Sequence, residues 1–163
     1  MMKSKIKVVL TMLLAVMLLI RVPIQASEMA SAGHIAAIEK YIDALNLIQG
    51  RIFTLAPRII FDGEGTSKEA NDNEIKILSD VLNTVRKELA DQVGNTTSED
   101  FSERDILLLL NAVNYMRSSL HELKLLNTQT AVSEKMTTLE RYFNFRIYAT
   151  NSIGLVNKLV LSK

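Results

Sequence analysis

From about residue 30 onward apolar residues recur at steps of three and four, the spacing that lines one face of an α-helix. In the first such segment Ile35, Ile38, Ile42, Leu45, Ile52 and Leu55 form a stripe from about Ser31 to Ala56, which Pro57 is expected to end or kink. In the second, Ile75, Leu78, Leu82, Val85 and Leu89 alternate steps of three and four without a miss. Thr66 with Glu69 offers a capping box at its start, and Gly94 a stop at its end. The third opens with Ser102 as N-cap, Asp105 three residues on, and Phe101 and Ile106 in staple positions. Its core stripe reads Ile106, Leu109, Leu110, Val113, Met116, Leu120 and Leu123. Asn127 to Thr130 is read as a tight turn, without which the third and fourth segments would fuse into one rod. The fourth, about Ala131 to Leu161, carries Val132, Met136, Leu139, Phe143, Ile153, Val156 and Val160 on one side.

Four amphipathic helices joined by short polar connections predict an all-α, up-down-up-down antiparallel four-helix bundle, because a short loop leaves the next helix beside the last. No strand-length run of period two competes, and no internal repeat or low-complexity stretch marks a second domain. Arg58 to Phe61 is apolar but lies outside a stripe, and is expected to fold over one end of the bundle.

The N-terminus reads differently. Lys3, Lys5 and Lys7 precede an uncharged run from Val8 to Ile20, and Arg21 to Ala26 leads to a small-residue cut. That is the layout of a signal peptide over residues 1–26, followed by a bundle domain over 27–163. Ile24, third back from the cut, is larger than the preferred alanine. The run is short of the roughly 20 apolar residues of a spanning helix, so an uncleaved anchor is the lesser reading.

Charge and composition narrow the class. Of 19 basic residues four fall before Ser27 and no acidic one does, leaving 15 against 18 and a mature net charge of minus 3. The basic footprint of a nucleic-acid binder is absent. At 48% apolar the chain is too hydrophobic for disorder, and with no cysteine it has no disulfide to hold it. A secreted or envelope-located domain that depends on core packing alone fits export from a bacterium.

The sequence offers little chemistry. The two histidines are His34 and His121. His121-Glu122 begins like a zinc-protease motif, but Leu125 stands where the second histidine belongs. Ser31 and Ser118, three residues before each histidine, deny the Glu-x-x-His of two-metal bundles. His121, near Asn114, Arg117 and Ser118, reads as part of a solvated face. The stretch from Gly63 to Lys68 lacks the glycines and Gly-Lys-Ser/Thr of phosphate loops, and as a calcium loop it has Ser67 and Asn73 at the wrong places. Asn95-Thr96-Thr97 is a glycosylation sequon by pattern only. No cysteine or nucleophile elbow supplies an activated nucleophile. Neither a cofactor nor a metal is expected, and the chain reads as a non-enzyme.

Two features break the regularity. Arg146 falls in the fourth stripe, a heptad from both Leu139 and Ile153, where it is either a buried charge paired with an acid or a packed stem whose head reaches water. Beside that stripe Phe145, Tyr148, Leu155 and Leu159 make a second one, more than a bundle helix needs. The expectation is an exported interaction protein that binds another protein, or itself, through Tyr142, Phe145, Tyr148, Leu155 and Leu159. The alternative is a membrane-active protein whose C-terminal helix lies on or in a bilayer, disfavoured by the negative charge and by Arg146, Asn151 and Asn157.

Overall fold

The computed structural model describes the backbone of residues 24–61, 68–93 and 102–160, and side chains within 32–61, 68–93 and 103–160. These residues form α1 (Ile24–Phe61), α2 (Lys68–Val93), α3 (Ser102–Leu126) and α4 (Val132–Val160), packed together with no strand among the described residues. The expected basic and apolar leader through Ile20, the Gly63–Ser67 stretch, Gly94, the sequon and Phe101 lie outside them. The chain divides into two compact units, 1–36 and 37–163, with the boundary inside α1. Of the first unit, the described part is the helical backbone from Ile24 onward. The second holds the core.

That core is built from the stripes. On α2 Ile75, Leu78, Leu82, Val85 and Leu89 are all buried, and on α3 so are Ile106, Leu109, Val113, Met116, Leu120 and Leu123, with Leu110 half-buried. α1 adds Ile38, Ile42, Leu45, Ile52 and Leu55, joined by Tyr41, Ile48 and Ala56.

α1 runs past its expected end. Pro57 sits inside the helix, and Arg58 to Phe61 continue it rather than folding over the bundle. A proline near a helix end removes one backbone bond to the preceding turn. Ile59 and Ile60, both half-buried, and the bond from Arg58 Nη2 to Asn71 Oδ1 (3.2 Å) hold that last turn in place.

The expected turn between α3 and α4 is present. The Leu125 carbonyl accepts from the amides of Thr128 and Gln129, both at 3.0 Å, and from the Thr128 hydroxyl at 2.9 Å. This satisfies a carbonyl that a helix end otherwise leaves open. Asn127 then reaches across to α2. Its amide donates to Asp72 Oδ1 (2.9 Å) and to the Lys68 carbonyl (3.2 Å), while its Oδ1 accepts from Asn71 Nδ2 (3.3 Å). Asn71 is buried, and its other polar end is the acceptor for Arg58. One chain of polar contacts thus ties α1, α2 and the α3–α4 turn together.

Side-chain contacts join α1 to α2, α3 to α4, and α1 to α4. Gln92 Nε2 donates to Tyr41 Oη (3.0 Å) and Arg51 pairs with Glu74 (2.6 Å) between α1 and α2. Arg141 Nε pairs with Glu122 Oε2 (3.0 Å) and the rings of Tyr115 and Tyr148 lie 5.4 Å apart between α3 and α4. Gln49 Nε2 donates to Thr150 Oγ1 (2.6 Å) and the Arg146 guanidinium lies 4.1 Å from the centre of the Phe53 ring, joining α1 to α4.

Leu82, fully buried in the most regular stripe, gives the sharpest test of this core. Leu82→Ala is expected to cost about 2 to 5 kcal/mol in urea melts, whereas Lys87→Ala, on the exposed side of α2, should change little. Equal losses would place the α2 core face elsewhere.

Candidate interaction surface

α4 is rotated about its axis relative to the expected stripe. Its buried residues are Thr138, Tyr142, Ala149, Ile153, Val156 and Val160. Only the C-terminal part, Ile153, Val156 and Val160, coincides with the expectation. Val132, Met136 and Phe143 are exposed instead, at 75%, 62% and 43%, and Leu139 is half-buried. The reason is competition between two faces of similar hydropathy. Arg141 and Tyr148, a heptad apart, are both engaged by α3, and Arg146 and Thr150, four apart, by α1. Those contacts fix the rotation that puts Tyr142 and Ala149 inward.

The expected partner face is consequently dispersed. Tyr142 is fully buried and belongs to the core, so it presents nothing to a partner in this conformation. Phe145 and Leu159 are half-buried. Tyr148 is 50% exposed but has a ring partner in Tyr115, and Leu155, a heptad further along that α3-facing side, is 40% exposed.

The larger apolar exposure lies on the opposite flank. Val132, Met136, Phe143 and Ile147 follow one another at steps of four, seven and four, so they fall on one line along α4. Ile147 is 53% exposed, and Phe53 of α1, 47% exposed, stands beside the line under the Arg146 guanidinium. A hollow of about 270 Å³ opens along it, bordered by Phe143, Arg146, Ile147, Thr150 and Asn151. It is smaller than the roughly 300 to 1,000 Å³ of small-molecule sites. A second, polar hollow of about 290 Å³ lies at the start of α4 among Gln129, Ser133, Glu134, Thr137, Thr138 and Arg141.

Arg146 itself is half-buried, and none of the acidic side chains among the described residues lies within ion-pair distance of it. Its Nε is buried without a hydrogen-bond partner. Among the described residues the buried charged side chain is Glu122, which is 8% exposed and is met by Arg141. Arg141 also donates from Nη2 to Thr138 Oγ1 at 3.3 Å. Sequence spacing does not reveal this pair, since Glu122 adjoins His121 on a helix whose other charges are solvated. His121 is exposed, and among the described residues no three His, Asp or Glu side chains converge to hold a metal. Among those residues no helix is long and apolar enough to cross a membrane.

Tyr142 carries a second orphan, a buried hydroxyl with no partner. Burial pushes its pKa up, and the Arg146 charge opposes that rise in part. Tyr41 is raised by burial, then by the charge of Glu88 and a hydrogen bond to it.

Two outcomes follow from these side chains. Arg146→Met keeps the apolar stem and loses only a cation–ring contact of about 0.5 to 1 kcal/mol, so it should melt close to the parent, while Arg146→Ala should lose more. An Arg146→Met protein as unstable as Arg146→Ala would reveal a buried ion pair. Because both tyrosines are raised in the folded state, their contribution is fully present below the ordinary value of 10.0 and is lost as pH rises through the folded values. Tyr142→Phe removes an unsatisfied hydroxyl and should be neutral or stabilising near neutrality. It should also lessen the loss that sets in as pH rises past about 10, and a mutant less stable by about 1 kcal/mol at neutral pH would show that the hydroxyl has a partner.

Comparison of the chain with protein-family models, with curated proteins and with solved structures finds no match, so the meaning of this surface rests on its own residues.

Proposed function

We propose that the chain is an exported, non-enzymatic helical-bundle protein that binds another protein, or a copy of itself, through an apolar flank of its C-terminal helix. The observation that carries this is the exposed line Val132, Met136, Phe143 and Ile147 with Phe53 beside it. Single exposed apolar residues are ordinary, but several aligned along one side of a helix make a surface that gains by being covered. Export is supported by the basic-then-apolar order of residues 3–20, and the non-enzymatic reading by the scarcity of nucleophiles and bases in the sequence. An up-down-up-down arrangement is supported by the order of contacts. From α1 to α2 Tyr41 meets Gln92, Arg51 meets Glu74 and Arg58 meets Asn71, so partner numbers fall as residue numbers rise. The same inversion holds for Tyr115 with Tyr148 and Glu122 with Arg141, and for Gln49 with Thr150 and Phe53 with Arg146.

A photo-crosslinking side chain placed at Phe143 or Ile147 in the producing cells should trap a discrete protein adduct that the same probe at Lys87 does not. Intact mass of the exported chain should begin at or near Ser27. Adducts no stronger than at Lys87, or release of dye from lipid vesicles by the purified chain, would overturn the protein-binding reading, the second in favour of membrane action.

A further inference from the structure

Resting on that reading, we infer that the occupant of this flank is an amphipathic helix of another protein that carries an acidic side chain, and that Arg146 is the residue that selects it. The line from Val132 to Ile147 spans about four turns and is straight, and a second helix laid alongside with apolar residues every three to four positions matches it. The hollow beside Phe143 and Ile147 opens on the same line and offers room for a side chain of such a helix.

The acid requirement comes from Arg146. Its guanidinium stacks on Phe53, it borders the hollow, and no acid among the described residues reaches it. Left in contact with water, such a cation is tolerated. Whatever covers the flank removes that water, and an apolar cover alone would strand a buried charge. A carboxylate on the incoming helix meets the fork of guanidinium donors and removes the penalty, so the same residue that opposes a purely apolar occupant favours an acidic one.

A second copy fits less well. In a two-fold pairing of antiparallel α4 helices each border of the line meets the same border of its copy. Lys135 lies eleven residues, about three turns, before Arg146 and shares its border. Such a pairing brings cation against cation.

The test uses three labelled synthetic amphipathic helices of about 20 residues with identical leucine stripes, bearing Glu, Gln or Lys at the edge of the apolar face halfway along, titrated against the purified chain by fluorescence anisotropy. The Glu peptide should bind about tenfold tighter than the Gln peptide and the Lys peptide weakest, with the preference falling as salt rises. Arg146→Met should equalise Glu and Gln, and Arg146→Glu should reverse the order toward Lys. Circular dichroism melts of both variants confirm that they are folded, and the ranking on the parent chain stands without them. Binding of all three peptides with equal affinity, or a Glu preference that survives Arg146→Met, overturns the acid requirement and leaves the apolar surface standing. No binding by any peptide, or concentration-dependent self-association of the chain that Phe143→Glu abolishes, overturns the helical partner itself.

Discussion

The rotation of α4 about its own axis decides what this molecule shows to solvent. A helix with two apolar faces of comparable strength has no single inward side, so its neighbours choose. Here α3 holds one flank through Glu122–Arg141 and Tyr115–Tyr148, and α1 holds the other through Gln49–Thr150 and Phe53–Arg146. The residues between those two sets of contacts go inward whatever their hydropathy. Hence Thr138 and Ala149 are buried while Val132 and Met136 are not. The cost is an exposed apolar line and a buried tyrosine hydroxyl without a hydrogen-bond partner.

The Arg58–Asn71–Asn127–Asp72 chain plays a complementary part at one end of the bundle. A buried amide such as Asn71 is costly unless both its donor and its acceptor are met, and sliding α2 against α1 or against the α3–α4 turn by one residue would break at least one of those bonds. Apolar stripes tolerate such slips because one leucine replaces another. The polar chain does not, so it supplies longitudinal register where the stripes supply only adhesion.

How far the sequence carries follows from this division. The core stripes of α2 and α3 were legible almost to the residue, because each runs in steps of three and four that the exposed apolar residues, Ile77 and Val81 on α2 and Leu107 on α3, do not extend, so that period and burial coincide at Ile75, Leu78 and Leu82 or at Leu109, Val113 and Leu120. The fate of Pro57 was not, since a proline in the last turns of a helix costs little when the residues after it are themselves held, and that holding is done by Asn71 from another helix. On α4 the C-terminal half was legible and the N-terminal half was not. Ile153, Val156 and Val160 go inward although Tyr148, Leu155 and Leu159 form a second apolar line beside them, whereas at the N-terminal end hydropathy favours Val132, Met136 and Phe143, the set that the structure leaves outside, over Thr138 and Tyr142.

One signal for the correct rotation was nevertheless in the sequence. Placing Arg146 in the middle of the stripe made it an exception that needed an ion pair or a snorkelling stem. Turning the helix by about one residue, roughly 100°, removes the exception: Tyr142, Phe145 and Ala149 become the inward line and Arg146 moves to its border. A charge at the centre of an inferred core face is thus better evidence about where the face lies than about the charge. The same step exposes the flank that carries Phe143 and Ile147, so the residue that looked like a defect of the core becomes a charged border of the outer apolar surface. On such a surface a cation held over an aromatic ring, with no acid among the described residues in reach, discriminates between occupants in a way that the surrounding apolar side chains cannot.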